Sequence, residues 1–366
     1  LKEKVSQQFI VGFFQPNLDQ EFLDFLKEYP VGGVILFKRN YESPGQLAEL
    51  INQLQGARSS KSPLLVSVDH EGGGVFRFEG LTHFPEMARL GEIDSPKLTF
   101  DVHQAMGEEL KALGINVDFA PVADVNTNRK NPIIGERAFG SDPDLVARHV
   151  SAAVRGLKKA GVMSCLKHFP GHGDTKKDSH LTLPKVDKSW EEILRCEAIP
   201  FKEGVKSKAD LVMTAHILNK QIDPNEPATL SAVTLGKLRS EFKFSGPIVS
   251  DDMEMKAVYK DESGVGKTAT DAIRAGCDLL IYRNFKMAQI AIDSVLKAVE
   301  KNELDGTLVE RSNQLILDLK SQYQIGEEVY VPDVTKKIGT DQTKKLLKDI
   351  KKSLQEIVRK NYERKR

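Results

Sequence analysis

The stretch from Lys167 to His180, KHFPGHGDTKKDSH, puts three histidines, two aspartates and two glycines into fourteen residues. Glycine lets backbone approach a ligand closely, and three imidazoles in one such loop mark a functional site where a lone histidine would more often be packing. Two chemistries suit the loop. His168, His172, His180 and Asp174 are metal-ligand types, although their spacing matches no strong metal pattern. Alternatively, Asp178 stands two residues before His180 and could accept a hydrogen bond from one imidazole nitrogen. That would fix the tautomer and raise the basicity of the other nitrogen, giving a dyad suited to proton transfer near neutral pH. A second cluster, Ser250-Asp251-Asp252-Met253-Glu254-Met255, carries two adjacent carboxylates. One could serve as a nucleophile, bind a metal, or cap a following helix; a cap does not explain both. Asp69-His70-Glu71-Gly72-Gly73-Gly74 with Arg77, and Gly135-Glu136-Arg137, offer an acid and two arginines for directed hydrogen bonds to hydroxyls or an acidic group. The plain alternative for each arginine is a surface ion pair. Asp124 and His216 divide evenly between ligand contact and packing.

These clusters need elements that bring them together. Short apolar runs cover 9–14, 31–37, 64–69, 115–122, 162–166, 211–215, 248–250 and 279–282. They are rich in Val, Ile, Leu and Phe and mostly lack alternation, the pattern of strands buried on both faces in a parallel sheet. Between them, 21–28, 44–54, 97–113, 144–159, 190–206 and 287–301 show apolar residues at helical spacing. Ser43-Pro44 and Ser189-Trp190-Glu191-Glu192 read as helix starts. Gly114, Gly161 and Gly276 stand where helices end before strands. Eight strands alternating with helices predict a single (β/α)8 TIM-like barrel with a C-terminal helical extension. An open doubly wound sheet is the runner-up. The polar clusters follow many different strands, whereas an open sheet would gather them near one switch point. The expected organisation is a barrel over 1–325, a linker over 326–340 and a basic amphipathic helix over 341–366. That last stretch holds ten Lys/Arg against four Asp/Glu. It reads as a solvated helix packed on the barrel, with surface or membrane contact as the alternative.

The bulk properties are ordinary for a globular protein. Of 366 residues, 40% are hydrophobic and 29% charged, and the net charge of +1 gives no electrostatic case for nucleic acid. Three cysteines, Cys165, Cys196 and Cys277, argue against a disulfide framework and predict buried thiols. No run approaches the ~20 apolar residues of a membrane span, and no signal-peptide pattern is expected at the start.

KHFPGHGDTKKDSH resembles the signature of family 3 glycoside hydrolases. The Asp-x-His ending resembles their bacterial β-N-acetylglucosaminidases of the NagZ type. SVDHEGG, APVADVN, GERAFG, MTAHI, SDDMEM and AGCDLLI are similar to family segments, in family order, over about residues 3–320. The resemblance implies one barrel, a retaining reaction with Asp251 as nucleophile and His180 as general acid/base, and Asp178 as the partner of His180. It implies that Asp69, Arg77, Arg137, Lys167 and His168 hold the N-acetylglucosamine, with no metal and no organic cofactor. The implied partner is an N-acetylglucosamine-containing muropeptide or chitobiose-like sugar. The implied setting is cell-wall recycling in the cytoplasm, against a periplasmic or membrane-associated alternative. Gly74 departs from the family's frequent arginine. A glycoside phosphorylase is a second reading, since an imidazole does not repel incoming phosphate. A non-catalytic sugar-binding protein and a metal hydrolase are the others.

Overall fold

The computed structural model describes residues 1–175, 183–259 and 261–363. Eight parallel strands close into a barrel: β1 Phe9–Val11, β2 Gly33–Leu36, β3 Leu65–Val68, β4 Val117–Asp118, β5 Met163–Phe169, β6 Leu211–Thr214, β7 Ile248–Asp252 and β8 Leu279–Tyr282. Each pairs with its neighbours in sequence order, and β8 closes on β1 through Phe9–Leu280, Ile10–Ile281 and Val11–Tyr282. A helix follows each strand: α1 Gln20–Glu28, α2 Pro44–Ala57, α3 Pro96–Ala112, α4 Pro143–Ala160, α5 Ala198–Lys206, α6 Ala232–Ser240, α7 Val265–Ala275 and α8 Phe285–Glu300. This is the (β/α)8 barrel that the alternation of runs predicts, with a C-terminal helical segment, and not an open sheet.

The unbroken apolar character of the strands has its cause in two buried faces. Ile10, Ile35, Leu65, Val117, Met163, Leu211, Val249 and Leu279 fill the barrel interior. Their neighbours Val11, Val34, Val66, Val212, Ile248 and Leu280 face outward, beneath the helices. Side chains on successive strand residues point to opposite faces, so both sets must be apolar. Helix α9, Gly306–Ser321, brings Ile316 and Leu319 to the interior cluster, with Tyr323 and Ile325 packed on it. The Tyr323 hydroxyl donates 2.7 Å to Asp210, just before β6. The N-terminal mouth of the barrel is thereby covered, which leaves the C-terminal mouth for the polar clusters.

The helical spacing also misleads in places. The stretch 190–206 is two helices, Trp190–Arg195 and α5, broken at Cys196 with φ −138° and ψ −83°. Helix α6 carries no strong apolar stripe, whereas α7 is strongly amphipathic and buries Val265, Ala269, Ala272, Ile273 and Ala275. Gly161 and Gly276 close α4 and α7 in the left-handed conformation, at φ 81° and 115°. All three cysteines are free; Cys165 and Cys277 are buried, but Cys196 is half-buried. Segment 326–340 lies along the barrel. Asn52 exchanges two hydrogen bonds with the Val329 backbone, and Glu109 accepts from the Gly339 amide at 2.9 Å. The final helix, α10 (Asp341–Glu363), buries Ile350 and leaves Val358 and Tyr362 exposed. Among the described residues, no helix is long and apolar enough to cross a membrane.

Candidate active site

At the C-terminal mouth, strands β3, β4 and β5 lie side by side. Asp69 and Glu71 follow β3, Arg137 comes from the loop after β4, and Lys167 and His168 are the last turns of β5. The chain folds these into one line of alternating charge. Arg77 lies 3.6 Å from Asp69. Asp69 accepts from Lys167 Nζ at 2.8 Å, and Lys167 Nζ lies 2.5 Å from Glu71 Oε1. Glu71 in turn accepts from Arg137 Nε and Nη2, each at 2.7 Å. Lys167 and Glu71 are almost wholly buried. Burial alone would strip each of its charge. The carboxylates of Asp69 and Glu71 hold Lys167 well above the ordinary lysine range, and Arg137 and Lys167 hold Glu71 well below the carboxylate range. The charged forms therefore persist despite burial, because each has an opposite partner at hydrogen-bond distance. Arg137 is not a surface ion pair, since it is forked on the buried Glu71; Arg77 makes only a long, partly exposed ion pair with Asp69.

Asp124 follows β4 and is fully buried. It accepts from the His168 amide at 3.2 Å, from His168 Nδ1 at 2.7 Å and from the His172 amide at 2.6 Å. A carboxylate opposite Nδ1 makes that nitrogen the donor and leaves Nε2 for a ligand. His172 Nδ1 meets the Thr175 hydroxyl at 2.8 Å. His216, buried after β6, lies between Thr229 Oγ1 and the Asp252 carbonyl, at 2.7 and 2.9 Å. His168 and His172 are thus committed to Asp124 and Thr175. Among the described residues, no group of three or more metal-ligand side chains is arranged to hold an ion.

The two carboxylates of β7 have different surroundings. Asp251 Oδ1 accepts from the Asp252 amide at 2.8 Å. Burial raises its proton affinity. The neighbouring His168, His216 and Lys167, with that amide, outweigh burial and hold the carboxyl below the usual range. Asp252 accepts from the Glu254 amide at 2.9 Å and lies 3.4 Å from Arg283 Nε. Burial dominates there and pushes its carboxyl up to about 7. Neither caps a helix; α7 starts later, at Val265.

The eight expected ligand or catalytic residues thus divide plainly. Asp69, Arg77, Arg137, Lys167, His168 and Asp251 converge on this mouth, from β3, β4, β5 and β7. Asp178 and His180 lie outside the described residues. Sequence reasoning left Glu71 without a role and Asp124 and His216 undecided. The signal for Glu71 was its place two residues beyond Asp69 at a strand end. At Gly74, an added Cβ would meet nothing within 4 Å. The position lines a cavity of about 240 Å³ with Glu71, Val75, Met87, Ile134 and Arg137, so a larger side chain has room there.

A family model described as the glycosyl hydrolase family 3 N terminal domain matches residues 1–319. The β-hexosaminidase of Tolumonas auensis is 39% identical over 281 residues, 75% of this chain and 82% of that protein. That of Hydrogenovibrio crunogenus is 40% identical over 294 residues, 78% of this chain and 79% of its own. Among solved structures, a glycoside hydrolase family 3 β-N-acetylglucosaminidase from Paenibacillus sp. str. FPU-7 has a TM-score of 0.89 at 38% identity. It covers 96% of this chain, which spans 68% of that one. The structural likeness therefore continues beyond residue 319, where the family model ends, into the C-terminal segment. On the matched family model and these identities, the chain belongs to glycosyl hydrolase family 3.

Proposed function

We propose that this chain is a retaining exo-β-N-acetylhexosaminidase that releases terminal N-acetylglucosamine through a covalent glycosyl-enzyme. The observation that carries the reading is Asp251 near the end of β7, set among His168, His216 and Lys167, which hold its carboxyl below the usual range against burial, in a chain whose named relatives are β-hexosaminidases. In the first displacement an Asp251 oxygen attacks the anomeric carbon. The bond to the aglycone oxygen breaks, and His180 delivers a proton to that oxygen. In the second, His180 removes a proton from water, the water oxygen bonds to the anomeric carbon, and Asp251 leaves as carboxylate. Two inversions retain the β configuration. Asp178 orients His180 in the same way that a buried carboxylate orients an imidazole in other hydrolytic dyads. Asp69, Arg77, Arg137, Lys167 and His168 hold the sugar.

The natural substrate we favour is a muropeptide fragment, which would place the enzyme in cell-wall recycling in the cytoplasm. The support for this finer reading is the Asp-x-His ending of the loop. The test is hydrolysis of a chromogenic N-acetyl-β-glucosaminide, with a β-glucoside as control and with and without phosphate. Turnover of the N-acetylated substrate alone is expected, with free sugar and no sugar 1-phosphate as product. Asp251→Ala is expected to lower kcat by about 10³-fold or more. Near wild-type activity in a folded Asp251→Ala would overturn the mechanism.

A further inference from the structure

We infer that Glu71 is a positioning residue of this site, a single buried carboxylate that aims Arg137 and Lys167 together at the sugar. The inference rests on the proposed role of those two cations in holding N-acetylglucosamine, and it assigns a cause to their placement. Glu71 is 2% exposed. Its two oxygens meet Arg137 Nε and Nη2 at 2.7 Å each, and Oε1 also lies 2.5 Å from Lys167 Nζ.

The fork between a carboxylate and a guanidinium fixes the plane of the arginine as well as its position. Arg137 Nη1 also donates to the Ile133 carbonyl at 3.2 Å. A guanidinium has five N–H groups, so these three bonds leave two of them, in an orientation set by the fork. Lys167 has three N–H groups. Asp69 and Glu71 take two, leaving one. The free donors are thus few and directed, which suits recognition of hydroxyl and carbonyl oxygens at fixed places.

Charge gives the second reason. Arg137 and Lys167 come from the β4 loop and β5, and each is a like charge to the other. Glu71 comes from the β3 loop and stands between them. Without its negative charge the two cations repel at short range in a buried setting, where such repulsion is strong. Asp69 pairs with Lys167 and acts on Arg137 only through space, as Asp124 does, whereas Glu71 bonds to both cations. Glu71 is therefore the tie that lets two cations face one ligand.

A carboxylate that served only folding would affect stability and leave substrate binding alone in molecules that fold. The test separates these. Glu71→Gln keeps the shape and removes the charge. With a chromogenic N-acetyl-β-glucosaminide, its KM should rise by about tenfold or more while kcat stays within about threefold. The inhibition constant of free N-acetylglucosamine should rise in parallel. In an Arg137→Met background, the same change should raise KM by at most about a third of its effect in wild type, since part of its action passes through Arg137. An unchanged KM in folded Glu71→Gln, or an equal effect in both backgrounds, overturns the inference. Should Glu71→Gln fail to fold, Glu71→Asp keeps the charge but is one methylene too short to span both cations. A wild-type KM there is the overturning result. Failure of the parent reading looks different: wild type itself would leave N-acetyl-β-glucosaminides intact.

Discussion

Asp251 and Asp252 are consecutive residues, yet the fold gives them opposite electrostatics. Side chains alternate along a strand, so Asp251 meets His168, His216 and Lys167, whereas Asp252 meets Arg283 and the like charge of Glu254. Burial raises both. Only Asp251 has enough opposing neighbours to reverse it, so it ionises at a lower pH than Asp252. Environments that push two acids apart are a mark of assigned roles in catalysis. The consequence can be measured in the free enzyme through kcat/KM. Activity should persist in acid down to the depressed titration of Asp251. His168→Gln removes the neighbour with the largest opposing effect on Asp251. The carboxyl then rises, becomes protonated at a higher pH, and the acidic limb moves toward neutrality. Initial rates are compared only where the enzyme regains full activity on return to pH 7. An acidic limb unmoved in His168→Gln would mean that His168 does not set the ionisation of Asp251.

At the scale of elements, the site is a product of strand adjacency. Asp69, Arg77, Lys167 and Asp251 were legible as strand-end polar residues because β3, β5 and β7 are unmistakable apolar runs. Their partners were not. Glu71 meets Arg137 across 66 positions and Asp124 meets His168 across 44, distances that only the β3-β4-β5 order makes short. Helix α6 escaped because it has no strong apolar face; α7 is amphipathic, but much of its buried face is alanine, Ala269, Ala272 and Ala275, which a search for large apolar residues passes over. The break at Cys196 is announced by Pro200, whose missing N–H cannot bond the Cys196 carbonyl four residues back. One element that does place the site is the short helix Met87–Ile93. A Cβ on its Gly91 would sit 1.7 Å from the Phe139 carbonyl oxygen, in the loop that carries Arg137. Gly91→Ala must therefore displace that backbone. A loss of about 1–3 kcal/mol in denaturant unfolding is expected, as for overpacking, with a raised KM. Gly74→Ala, on the neighbouring loop, meets nothing within 4 Å and should change neither. Equal behaviour of the two variants would show that the Gly91 contact does not hold the loop.

The molecule as a whole carries a pH limit that is separate from its chemistry. α3 and α4 pack on each other, with His103 and His149 buried between them and Phe139 stacked on His149. His103 Nδ1 donates to the Thr99 carbonyl at 2.8 Å, yet burial dominates and pushes its imidazole down to about 4. Burial and the nearby Arg77 push His70, behind the β3 loop, down to about 4 as well. Both rings are therefore neutral in the folded state over most of the acid range, whereas an unfolded chain protonates them near pH 6.5. Between those values the unfolded state binds more protons, so stability falls as pH falls. The loss begins below about pH 6.5, reaches about 2 kcal/mol per imidazole by pH 5, and is complete below about pH 4. Denaturant unfolding at pH 8, 6 and 5 measures it. Wild type should lose stability on acidification, and His103→Gln, which keeps a donor for Thr99 but cannot take up a proton, should lose less. The variant starts lower at pH 8, because its packing against Phe139 is poorer, but its curve is flatter. Parallel curves for the two proteins would place the acid sensitivity elsewhere. A flatter one locates it between α3 and α4, so that mild acid would loosen the side of the barrel that carries Arg137 before Asp251 is protonated.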